Sequence, residues 1–167
     1  MRDEKITLPR LQLLHPAIKD EVIAAFEHIE ANLLPKNIAI RCVQSLRTFA
    51  EQNAIFNSRP QVSKARGGQS FHNYGLAFDF ALMIDRDGNG TFETLSWDTT
   101  KDIDKDGKSD WMAVVGYFKG LGYVWGGDFR SISDSPHVEK TFGNGWRDLL
   151  NKYNSNQFIE GTKYVAL

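Results

Sequence analysis

His72 and Asp79 lie seven residues apart in Ser70-Phe71-His72-Asn73-Tyr74-Gly75-Leu76-Ala77-Phe78-Asp79, and His137 closes the distant run Asp134-Ser135-Pro136-His137. Two imidazoles and one carboxylate make three protein ligands for a tetrahedral zinc ion. The open fourth position then holds a water acidified to a pKa of ~7. That is the composition of a hydrolase centre, divided between two stretches of chain that the fold must bring together.

The elements that would carry these side chains can be read from periodicity. Pro16 opens a segment in which Ile18, Val22, Ala25, Phe26, Ile29 and Leu33 recur at helical intervals, so a helix is expected to run from Pro16 and end before Pro35. His15 and His28 sit at its start and flank without a carboxylate or histidine at metal spacing, and read as packing or surface residues. Alternation over Ile38–Val43 predicts a strand. Thr48-Phe49-Ala50-Glu51 fits a capping box, so a helix should start just after Arg47 and continue to about Asn57. Residues 61–69, with Gly67 and Gly68, read as a loop leading to His72.

Leu76, Phe78, Phe80, Leu82 and Ile84 then alternate with Ala77, Asp79, Ala81 and Met83, the pattern of a strand with a core face and a second face. Asp79 is flanked on its face by two alanines, small neighbours that leave room for an ion and a substrate. A carboxylate on the solvated face of a half-exposed strand has the same alternation. Ser109 and Asp110 can cap a helix bearing Trp111, Val114, Val115, Phe118 and Leu121. A short strand Tyr123-Val124-Trp125 runs into the Gly126-Gly127 turn, and in the next strand His137 and Glu139 share a face. A helix over 146–153 and a terminal strand near Tyr164-Val165 complete the expected domain.

Residues 85–110 hold two similar loops. Asp85, Asp87 and Asn89 precede Gly90, and Asp102, Asp104 and Asp106 precede Gly107, each copying the first half of a calcium-binding EF-hand loop. The closing glutamate is absent, because the twelfth positions are Ser96 and Ala113. The same residues also form ordinary Asp- and Gly-rich turns.

With 167 residues, 41% hydrophobic and 12% aromatic, the chain can bury one sizeable core. A net charge of -1 gives no attraction to nucleic acid. The single Cys42 has no partner, so no internal disulfide is expected. No segment is long and apolar enough to insert into a membrane, and the start Met1-Arg2-Asp3-Glu4-Lys5 lacks a signal-peptide core. Synthesis in the cytoplasm is therefore expected. No repeat or appended module appears, so residues 1–167 read as one domain, an α+β arrangement of helices packed on a small mixed or antiparallel sheet.

The run 68–79, together with Trp125-Gly126-Gly127-Asp128 and Asp134-Ser135-Pro136-His137-Val138-Glu139, resembles the zinc peptidoglycan peptidases. That family includes D-alanyl-D-alanine carboxypeptidases and L-alanyl-D-glutamate endopeptidases, the latter branch found in phage endolysins. The similarity runs from about residue 13 to about residue 142. It implies that His72, Asp79 and His137 bind zinc and that residues 1–167 are a single zinc peptidase catalytic domain. It also makes the peptidoglycan stem peptide the partner and the bacterial cell wall the site of action, reached with help from a separate holin-like protein.

By the same resemblance Asp134, three residues before the last zinc ligand, takes the general-base position. Aspartate there points to the endopeptidase branch, since the carboxypeptidases usually carry glutamate. Glu139 competes for this role but reads better as a support for His137 or an ion pair. Arg47 corresponds to the family's cleft arginine, placed to stabilise an oxyanion or hold a substrate carboxylate. Ser70 and Gln52 match substrate-binding cleft positions, while Trp125 and Asp128 look like cleft walls. The alternatives are a D-alanyl-D-alanine carboxypeptidase or dipeptidase, a metal-stabilised wall-binding module without catalysis, and a calcium-binding structural domain.

Overall fold

The computed structural model describes residues 1–61, 63–130 and 133–167. Val62, within the expected 61–69 loop, lies outside the described residues. In chain order the elements are α1 (Glu4–Leu11), α2 (Pro16–Asn32), β1 (Ile38–Gln44), α3 (Phe49–Asn57), β2 (Ala77–Ile84), β3 (Thr94–Ser96), α4 (Asp110–Gly120), β4 (Val124–Trp125), β5 (His137–Glu139) and α5 (Trp146–Asn154). Short 3₁₀ turns cover Phe71–Tyr74 and Gly126–Asp128.

Local chemistry sets most of these boundaries. At α2, Pro16 fills the first turn and the His15 imidazole caps it, accepting from the Ala17 amide at 3.0 Å. At α3 the expected capping box forms: Thr48 Oγ1 accepts from the Glu51 amide at 3.1 Å, and the Glu51 carboxylate accepts from the Thr48 amide at 2.7 Å. Ser109 caps α4 by accepting from the Met112 amide at 3.2 Å.

All the described strand pairs are antiparallel. The sheet order is β1-β2-β5-β4, and β3 also pairs with β2. β2 is therefore the central strand. Its phenylalanines point to a core shared with α2 and α4, where Phe78 meets Phe26 and Phe118 edge-on with ring centroids 5.7 and 5.0 Å apart. Phe80 packs on Trp111 at 4.4 Å. Burying a side chain of this size contributes roughly 1.5–3 kcal/mol, so this face fixes which way β2 lies and hence where Asp79 points.

Several expectations change in detail. Ala77, Ala81 and Met83 are buried as well, so β2 is covered on both faces and Asp79 is its one partly exposed residue. Leu76 leaves the main core for a smaller cluster with Tyr74, Leu149 and Val165. The terminal strand near Tyr164-Val165 is a single bridge, Phe158 to Val165. α1 was not anticipated, because Pro9 sits inside it. It is held by Asp3, whose carboxylate accepts from Thr7 Oγ1 at 3.0 Å and from Arg41 at 2.6 and 2.8 Å.

Candidate metal centre and its cleft

Strand register creates the centre. Asp79 on β2 pairs directly with His137 on β5, with Phe78 opposite Val138 and Ala77 opposite Glu139. Directly paired residues share a face, so carboxylate and imidazole stand side by side, and a slip of one residue would send them to opposite faces. His72 arrives from the 3₁₀ turn. That turn is anchored where the His72 carbonyl accepts from the Arg47 amide at 3.0 Å. Gly75 ends it at φ 69°, where a Cβ would lie 2.8 Å from the His15 amide nitrogen, so a side chain is excluded by both conformation and space.

His72 Nε2, His137 Nδ1 and Asp79 Oδ1 converge to mutual distances of 3.1–3.2 Å. Ligand atoms ~2.0–2.1 Å from a tetrahedral ion stand ~3.3 Å apart, so the donor set fits zinc. Tautomers support the fit. His72 Nδ1 donates to the Ser45 carbonyl at 2.7 Å, and His137 Nε2 donates to Glu139 Oε2 at 2.9 Å. Neither acceptor can be a donor, so each ring turns its other nitrogen, with its lone pair, toward the same point. Two lone pairs and a carboxylate facing one another require a cation or a proton between them. Without a metal the proton serves: burial pushes His137 down, but the hydrogen bonds to Asp79 and Glu139 outweigh it and raise its pKa to about 9. Burial likewise disfavours the Asp79 charge, yet the two imidazoles hold its carboxyl well below the usual range.

The three side chains open into a cleft of 1030 Å³ bordered by α3, the 63–71 segment, Phe129 and the 133–139 segment, with Arg47, Ser70, Phe71, Asp134, Glu139 and Trp146 among its walls. Asp134 is exposed on this cleft, and its carboxylate takes no hydrogen bond from the described residues. Desolvation by the cleft walls, and next the Asp79 charge, raise its pKa above the ordinary carboxylate value. Arg47 stands beside Asp79, with Nη2 at 3.8 Å from Asp79 Oδ2 and Nη1 donating to Gln52 Oε1 at 2.8 Å. Its Nε is buried without a partner among the described residues. A carboxylate that takes no hydrogen bond from the described residues, a guanidinium held by Gln52 and three side chains that could hold a metal ion therefore share one cavity.

Residues 63–140 match a peptidase family described as D-alanyl-D-alanine carboxypeptidase. Over 131 residues the chain is 39% identical to peptidoglycan L-alanyl-D-glutamate endopeptidase CwlK of Bacillus subtilis (strain 168), covering 75% of this chain and 72% of that protein. The chain belongs to the M15 peptidase family. It is 27% identical over 115 residues to the L-alanyl-D-glutamate peptidase of Listeria phage A118, which spans 69% of this chain and 35% of the phage protein. The crystal structure of Serratia marcescens L-Ala D-Glu endopeptidase ChiX shares the fold, with a TM-score of 0.55 at 22% identity over 82% of this chain and 87% of that one.

In this M15 metallopeptidase the other expected site residues differ in where they lie. Ser70 lies on the cleft wall. Gln52 does not: it is fully buried, and its amide donates to the Ala65 carbonyl at 2.8 Å and Ser63 Oγ at 3.2 Å while accepting from Arg47. Its contact is with the arginine. Trp125 donates its indole N–H to the Ser135 carbonyl at 2.7 Å, and Asp128 pairs with Lys119 at 2.6 Å. His15 and His28 stay apart from the centre, one capping α2 and the other stacked on Tyr117 at 4.8 Å.

Two supports of this M15 site escaped the sequence reading. The Ser45 carbonyl orients His72, and no side-chain pattern signals a backbone acceptor. Asn73 joins the cleft's segments, with Oδ1 accepting from the Gly68 amide at 2.9 Å and Nδ2 donating to the Arg47 carbonyl at 2.9 Å. The acidic loops gather carboxylates as well, Asp85 with Asp87 and Glu93, and Asp102 with Asp104 and Asp106. They close on their own chain: Asp85 accepts from the amides of Gly88 and Gly90 at 2.8 Å, Asp102 accepts from Gly107 at 2.9 Å, and Asn89 donates to Asp87 at 2.9 Å. Calcium at Asp85, Asp87 and Asn89 or at Asp102, Asp104 and Asp106 finds no support in these contacts or in the relatives. Among the described residues, no helix is long and apolar enough to cross a membrane.

Proposed function

We propose that residues 1–167 act as one zinc-dependent L-alanyl-D-glutamate endopeptidase domain that cleaves the stem peptide of peptidoglycan. The observation that carries this reading is the convergence of His72 Nε2, His137 Nδ1 and Asp79 Oδ1, both rings held in the ligating tautomer. His72, Asp79 and His137 would hold the zinc, which would supply Lewis acidity to the attacking water and the scissile carbonyl. Asp134 accepts the proton of that water and returns it to the departing amine. Arg47, fixed by Gln52, places positive charge where the carbonyl oxygen becomes anionic. Ser70, on the cleft wall, offers a hydroxyl to the substrate backbone. The endopeptidase branch is preferred because the two relatives in sequence, CwlK and the phage A118 protein, are named for that activity and because residue 134 is aspartate. Action on the cell wall, delivered by a separate holin-like protein, belongs to the same reading.

The family's description also names carboxypeptidases, so the test must separate the two bonds. Purified muropeptides are digested with and without a zinc chelator and resolved by mass spectrometry. Fragments with new L-alanine carboxyl and D-glutamate amino ends, lost on chelation, are expected. Release of terminal D-alanine instead would move the chain to the carboxypeptidase reading.

A further inference from the structure

We propose that Trp125 is a positioning residue for Asp134, acting through its indole N–H; this rests on the reading of Asp134 as the base. The turn that carries Asp134 into His137 is tied down at successive backbone atoms. The Asp134 amide donates to the Gly126 carbonyl at 3.0 Å, the His137 amide to the Asp134 carbonyl at 3.1 Å, and the Phe80 amide to the Pro136 carbonyl at 3.0 Å. A further tie is made by a side chain, the Trp125 indole on the Ser135 carbonyl at 2.7 Å. It fixes the peptide that follows Asp134, while the Asp134 carboxylate itself takes no hydrogen bond from the described residues and lines the cleft.

The two glycines after Trp125 make this clamp possible. A Cβ on Gly126 would lie 2.4 Å from the Asp134 carbonyl oxygen and 2.9 Å from His137 Cβ, so the turn needs a bare backbone beneath it. A Cβ on Gly127 would lie 2.3 Å from the Trp125 ring, which folds back over that position to reach Ser135. Trp125-Gly126-Gly127 therefore works as a unit. The tryptophan supplies the donor and the glycines supply the two close approaches. His137 is held separately by β-pairing to Asp79 and by Glu139. Removing the indole donor thus loosens the base before it loosens the metal ligand.

The test compares zinc-loaded wild type, Trp125→Phe, Asp134→Asn and the double variant on purified muropeptides, with zinc content and melting temperature measured alongside. Phenylalanine keeps an aromatic ring against the core and lacks the donor, together with the outer indole atoms that lie over Gly127. Displacing a reacting group by ~1 Å costs on the order of a hundredfold, so Trp125→Phe is expected to lower kcat roughly ten- to a hundredfold with KM, zinc content and melting temperature retained. In the Asp134→Asn background it should cost nothing further. Gly127→Ala, which pushes the ring aside and keeps the donor, should reproduce the kcat loss. Wild-type kcat in Trp125→Phe overturns the proposal, as does an equal loss in both backgrounds, or zinc lost in step with turnover. Full turnover in Asp134→Asn alone removes the base assignment and the proposal with it, a result distinct from the others.

Discussion

At the scale of single residues, the centre depends on which ring nitrogen carries a proton. Glu139 fixes this for His137, and partners of that kind typically govern metal affinity by 10–100-fold. Glu139→Gln is expected to weaken zinc binding by about that factor in a competition titration against a chelator. Unchanged affinity would reduce Glu139 to an ordinary ion pair. Gln52 is the residue whose role changed most between sequence and structure. With no exposure and its amide used at both ends, it can act on substrate only through Arg47. Removing an oxyanion donor costs ~2.7–4 kcal/mol of barrier, so Arg47→Ala should lower kcat/KM accordingly, and Gln52→Ala should cost part of that. The two losses should not add. Additive losses would mean that Gln52 acts independently of the arginine. Burial is what the sequence hid here: a glutamine on a capped helix reads the same whether its amide meets solvent, substrate or a neighbour.

At the scale of elements, the site is a consequence of β2 and β5 pairing in one register. The alternation 76–84 made β2 legible, and the Thr48 and Ser109 caps made α3 and α4 legible, because a periodic pattern or a cap is local information. The pairing of Asp79 with His137 was accessible only through the ligand set, since β5 is three residues long and carries almost no periodicity of its own. α1 and β3 were missed for similar reasons, one hiding a proline and the other lying in a polar stretch. The burial of Ala77, Ala81 and Met83 was also invisible, because small and flexible side chains suit an open cleft and a covered face alike. Phe78 is the element-scale anchor, wedged between Phe26 and Phe118 while its neighbour Asp79 faces the two histidines. Phe78→Ala should destabilise the fold by ~3–5 kcal/mol in urea denaturation. A loss below ~1 kcal/mol would show that β2 is held in place by its pairing alone.

For the molecule as a whole, the metal centre links stability to pH. His137 is raised to about 9 from 6.5, so in metal-free protein its stabilisation is full below 6.5 and disappears as pH rises through about 9. Asp79 is held low, so its contribution is present above its ordinary 3.8 and is lost only as pH falls through the lowered value. Metal-free protein should therefore lose stability between pH 6.5 and 9. Zinc replaces the proton and must displace it at lower pH, so its stabilising effect grows over the same interval. The melting-temperature gap between zinc-loaded and chelated protein is expected to widen from pH 6.5 to 9. A constant gap would mean that the proton and the metal do not compete for one place. The most direct measurement is zinc titration of metal-free protein while muropeptide cleavage is followed. Turnover should climb in proportion to added zinc and level off at one equivalent, whereas metal-free protein that cleaves at the full rate would contradict the account.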